Sequence, residues 1–150
     1  MKPIANELES FIEQNKAVLL LVTEEKLLHK PSPVKWSKKE IIGHLIDSAH
    51  CNIRRFVVAQ YEDNPTIVYK QEKWVTICNY QQWNSNQLIN LWYLLNKQVV
   101  EILKNTSLEM TGRTCFTSEL QTVQWLAADY IKHLRHPIHQ VRDLSPVAYP

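Results

Sequence analysis

The chain holds only two glycines in 150 residues, and neither Gly43 nor Gly112 has another glycine near it. That excludes a glycine loop cradling a phosphate and argues against a turn-rich β-sandwich or barrel. Long apolar runs are also missing. The longest, Ala17 to Val22, falls far short of the roughly 20 residues a spanning helix needs, and the first residues, Met1-Lys2-Pro3-Ile4-Ala5-Asn6-Glu7, lack the apolar core of a secretion signal. A cytoplasmic protein without a membrane partner is expected. Charge of one sign is lacking as well: 17 basic residues stand against 15 acidic ones, for a net charge of +2. The two signs are interleaved, so no basic stripe exists for a nucleic acid to follow. The three cysteines, Cys51, Cys78 and Cys115, are odd in number and widely spaced, which fits reduced thiols and neither a disulfide framework nor a Cys-x-x-Cys site.

What is present is helical pattern. Hydrophobic residues make up 45% and charged residues 21%, ordinary for a globular protein, and residues 1–150 fit one domain able to bury its core without staples. Leu8, Phe11, Ile12, Asn15, Val18, Leu19 and Val22 recur at helical spacing and predict a first helix from about Pro3 to about Leu28. Pro31 and Pro33 then demand a loop. Ser37, with Glu40 three residues later, forms a capping-box signature that starts a second helix, continuing to about Tyr61 and stopped by Asp63-Asn64-Pro65. Thr66 to Asn84 reads as a long crossover with a short helix near Trp74. A third helix runs from Asn84 or Ser85 to Lys104 and Asn105 on the stripe Leu88, Leu91, Trp92, Leu95, Val99 and Ile102. Thr106 to Gln121 reads as irregular. Thr122 caps a fourth helix through Trp125, Leu126, Tyr130, His133, Leu134 and Val141, interrupted at Pro137. The fold class is all-α, a four-helix bundle in which the crossover lets the second and third helices run the same way.

The chemistry concentrates on two of these helices. His44 shares the inward stripe of the second with Ile41, Leu45, Ser48, Asn52 and Phe56. In the fourth, His133 and His136 share a face with Asp129 and Gln140, whereas His139 points elsewhere. Were the two faces to meet, the interior would hold two or three imidazoles, a donor set suited to a divalent metal bound between facing helices. The plainer alternative, imidazoles bonding free carbonyls at a helix end, accounts for His139 better than for His133. Cys51, two turns beyond His44, reads as a packed thiol, and Trp36, Trp74, Trp83, Trp92 and Trp125 read as core and connection anchors.

The run from Trp36 to Ala49, Trp74-Val75 with Tyr80, Leu91-Trp92 with Asn96, and Asp129-Tyr130-Ile131-Lys132-His133-Leu134 with Gln140-Val141 resemble the DinB/YfiT-like superfamily over nearly the whole chain. The resemblance implies an up-down-down-up four-helix bundle, a homodimer, and a nickel, zinc or manganese ion on three histidines, one from the second helix and two, four residues apart, from the last. It implies metal-dependent hydrolysis or thiol transfer. On this chain the first two ligands fall on His44 and His133, and the third falls on Pro137. Proline offers no donor and pushes the residue before it away from helical geometry, which leaves two alternatives. His136 fills the vacancy, with Asp47, Asp129 and Gln140 orienting the imidazoles or substituting weakly, or the site stays empty. The first alternative makes the protein a divalent-metal enzyme acting on a small electrophile, with a small-molecule substrate or thiol cofactor as partner. The second makes it a metal-free bundle that binds a small molecule or a protein.

Overall fold

The computed structural model describes residues 1–145. Four long helices, α1 (Lys2–Leu20), α3 (Lys38–Val58), α5 (Ser85–Asn105) and α6 (Val123–Val141), form the bundle, with short helices α2 (Glu24–Leu28) and α4 (Gln71–Cys78) in the connections. α1 packs on α5, α5 on α3, α3 on α6 and α6 on α1. In this ring α3 is the most enclosed, every residue from Ile42 to Ala49 being buried. A helix buried all round must place its polar side chains against partners. Beyond Ile41 the buried polar side chains of α3 are His44, Asp47, Ser48 and Asn52.

The helix starts are the expected ones. Ser37 Oγ accepts from Glu40 N while Glu40 Oε2 accepts from Ser37 N at 2.8 Å, the complete capping box. Asn84 and Thr122 cap α5 and α6 by accepting from Gln87 N and Trp125 N.

Three expectations are corrected. The first helix does not run on to Leu28. It stops at Leu20, and Thr23 caps α2 afresh. A hydroxyl followed by Glu24 and Glu25 is a helix start in its own right, and it overrides the continuing apolar period. The break lets Glu24 accept from the buried Lys39 ammonium at 2.8 Å and from Ser85 Oγ at 2.5 Å, tying α2 to α3 and α5. The irregular stretch after α5 contains a hairpin, with β1 (Thr114–Phe116) antiparallel to β2 (Leu120–Thr122). Finally, Pro137 does not interrupt the last helix, for α6 continues through it to Val141. One backbone bond is lost there, but Pro137 and Ile138 are both buried, and packing against the bundle holds the helix together.

The crossover is pinned to α3 by a contact that only glycine permits. A Cβ on Gly43 would sit 2.0 Å from Tyr80 Cδ2, so the Tyr80 ring lies directly on the helix backbone. Its hydroxyl donates to Asp47 Oδ1 at 2.5 Å, and Gln81 beside it donates to Ser37 Oγ at 2.7 Å. Gly43→Ala is therefore expected to cost about 1–3 kcal/mol through overpacking. Pairing it with Tyr80→Ala should recover part of that loss in urea unfolding, and additive losses would show that the contact is not the cause.

Candidate functional site

The capping box fixes where α3 begins, and two turns in, His44 is carried to the centre of the bundle, 5% exposed. α6 brings His133 to it. The two imidazoles meet edge to face, with centroids 5.3 Å apart and planes at 76°. On its other side His44 lies against the Trp36 indole, at 5.2 Å. Burial pushes the His44 imidazole down to about 4, with His133 adding to the effect, so it is neutral at pH 7. Burial lowers His133 too, but the Asp129 carboxylate opposes the shift. His44 Nδ1 is buried with no hydrogen-bond partner among the described residues.

The remaining candidates are disposed differently. His136 Nε2 lies 2.9 Å from Gln140 Nε2, so these two side chains engage each other. Asp47, 1% exposed, binds Tyr80 through one oxygen and leaves Oδ2 without a partner; its carboxyl is raised by burial to about 6, against the lowering effect of the Tyr80 bond. His139 Nδ1 lies 3.0 Å from the Ser145 carbonyl. Among the described residues no group of three or more His, Cys, Asp or Glu side chains is disposed to hold a metal. The structure thus brings together two donors of the expected three. The residue on which the family resemblance places the third imidazole is Pro137, a buried ring within α6. A zinc-like ion needs three or four protein donors for tight retention, so the residues present do not fit a three-histidine ion.

Sequence reasoning passed over two features. Trp36 covers His44 and is more than a connection anchor; an aromatic residue directly before the helix cap was the available signal. The Tyr80–Asp47 bond had no sequence signal, since the two lie 33 residues apart.

The two buried groups have opposite pH consequences. Between pH 6.5 and 4 the unfolded His44 takes a proton that the folded one refuses, which removes about 3 kcal/mol of stability as pH falls. From about 6 down to 3.8 the folded Asp47 takes a proton that the unfolded one does not, which returns a similar amount. Asp47→Asn should unmask the histidine, so that the variant loses about 3 kcal/mol more than wild type on acidification from pH 6.5 to 4 in urea unfolding. Parallel pH profiles for the two proteins would contradict this.

Comparison with known proteins agrees with this architecture. A protein from Bacillus cereus (strain 03BB102) named "Putative metal-dependent hydrolase" is 30% identical over 125 residues, covering 81% of this chain and 72% of its own. The structure of YfiT from Bacillus subtilis, described as a probable metal-dependent hydrolase with an unusual four-helix bundle topology, superposes with a TM-score of 0.83 at 20% identity, covering 95% of this chain and 84% of YfiT. The mycothiol-dependent maleylpyruvate isomerase superposes with a TM-score of 0.65 at 17% identity, covering 99% of this chain and 62% of that one. The family model of the DinB superfamily matches residues 7–141, which take in most of α1, the whole of α3, α5 and α6 and the His44–His133 pair, and the chain belongs to that superfamily.

Proposed function

We propose that this chain is a DinB-type enzyme acting on a small electrophilic molecule at the His44–His133 pair. Its neutral imidazoles would do the work that relatives assign to a metal. The observation that carries the reading is the pair itself: a buried imidazole, His44, with an unsatisfied ring nitrogen, 5.3 Å from the half-buried imidazole of His133. Such a nitrogen is costly to maintain unless something binds there.

His133 is the proton acceptor in this reading, because the Asp129 carboxylate opposes the lowering that burial imposes on it, whereas no group opposes it at His44. It draws the proton from an attacking water or thiol. His44, neutral and held by Trp36, offers its free Nδ1 to the substrate, as acceptor or donor according to tautomer. Hydrolysis and thiol transfer share this proton removal. The relatives' name supports the first, and the mycothiol dependence of the structural neighbour supports the second. A cytoplasmic homodimer belongs to the same proposal and rests on the family resemblance.

A divalent ion enters no step here, because its third donor is replaced by Pro137. Purified without a polyhistidine tag, the wild type should carry less than about 0.1 equivalent of nickel, zinc or manganese by plasma mass spectrometry. Pro137→His, which restores an imidazole four residues after His133, should raise that toward one equivalent, and His44→Ala should abolish the gain. Near-stoichiometric metal in the wild type, lost in His44→Ala and His133→Ala, would overturn the metal-free reading. Ester-hydrolysis and thiol-transfer activity should survive a chelator and fall at least about 100-fold in His133→Ala, the usual scale for a lost general base. Turnover unchanged in that variant would remove His133 from the reaction.

A further inference from the structure

Beside the imidazole pair lies an open cleft of about 1440 Å³, bounded by α2, the loop leading to Trp36, the start of α3, α4 and the end of α6. It exceeds the roughly 300–1,000 Å³ of a typical small-ligand pocket, so it has room for a ligand with several separate groups. Trp36 lines the cleft and also lies against His44, while Gln140, also in the lining, engages His136. The cleft therefore adjoins the pair through Trp36 and Gln140, and neither imidazole is itself part of its lining.

Its charges are arranged in a particular way. Lys38 is already paired with Asp143 at 2.5 Å, and these two cancel. Lys26 and Lys35, on the α2 side and the following loop, make no ion pair among the described residues, and neither does Glu72 on α4 nor Glu25. A purely anionic ligand would meet the glutamates, and a purely cationic one would meet the lysines. Trp36 and Ile41 add apolar surface to the same lining.

We propose that the cleft binds an amphoteric, amino-acid-like or short-peptide-like molecule with an apolar body. Its carboxylate faces Lys26 and Lys35, its ammonium faces Glu72, and its body rests on Trp36. This rests on the reading of the His44–His133 pair as the reaction centre and names the substrate class presented to it.

Four fluorescent probes sharing one aromatic body separate the terms: Nε-dansyl-lysine carries both charges, dansylglycine the negative, dansylcadaverine the positive, and dansylamide neither. Nε-dansyl-lysine should bind at least about tenfold more tightly than dansylamide, with the singly charged probes between them. Lys26→Gln with Lys35→Gln should erase the preference for the carboxylate-bearing probes, and Glu72→Gln the preference for the ammonium-bearing ones. Trp36→Ala should weaken all four, and Trp36→Phe should restore much of the loss, which guards against a folding defect. Equal binding of all four probes, charge variants that leave the order unchanged, or no binding of Nε-dansyl-lysine would each overturn the proposal. Selective binding that persists in His44→Ala and His133→Ala supports it, and in a protein without turnover such binding would sink the catalytic reading alone.

Discussion

The contact between the Tyr80 ring and the bare backbone at Gly43 sets the form of the site. It allows the crossover to lie flat on α3, and it brings the Tyr80 hydroxyl to Asp47. From that follow the position of α4 as a wall of the cleft and the engagement of one Asp47 oxygen by Tyr80. Any side chain at position 43 would have to push the crossover outward or tilt the ring. The glycine is needed for space and not for backbone freedom, since neither glycine in the chain has a positive φ.

A second constraint comes from burial. α3 is enclosed on every side between Ile42 and Ala49, so its polar groups cannot rely on water. Ser48 and Asn52 satisfy each other along the helix, Asn52 Nδ2 donating to the Ser48 carbonyl at 2.9 Å. His44 and Asp47 are left with unsatisfied atoms. Natural cores keep few such atoms, and two of them lie here within one turn of a helix, one on an imidazole beside a second imidazole, which is the physical ground for the proposed site.

The superfamily relation and the altered donor set are compatible. The bundle and the pair persist because α3 and α6 are held by their caps and by core packing, none of which depends on Pro137. The third donor that the family resemblance leads one to expect falls on Pro137, whose ring packs in the core and leaves the helix continuous. Membership of the superfamily fixes the fold and leaves the chemistry to the particular side chains of the site.

Much of this was legible in the amino-acid order because it rests on local rules. The four long helices follow from apolar spacing, three of their starts from Ser37, Asn84 and Thr122, and the inward placement of His44 from its stripe. The break at Thr23 was also written locally but was masked by the apolar period running through it. The hairpin was not, since its short strands carry little pattern of their own. Tertiary structure alone decided what depends on partners outside the local helix: that Pro137 packs without breaking α6, that Tyr80 rather than an imidazole takes Asp47, and that Trp36 covers His44. Helical spacing determines which face a residue occupies, but which of several polar neighbours on that face it bonds is settled by the packing of segments far apart in the chain.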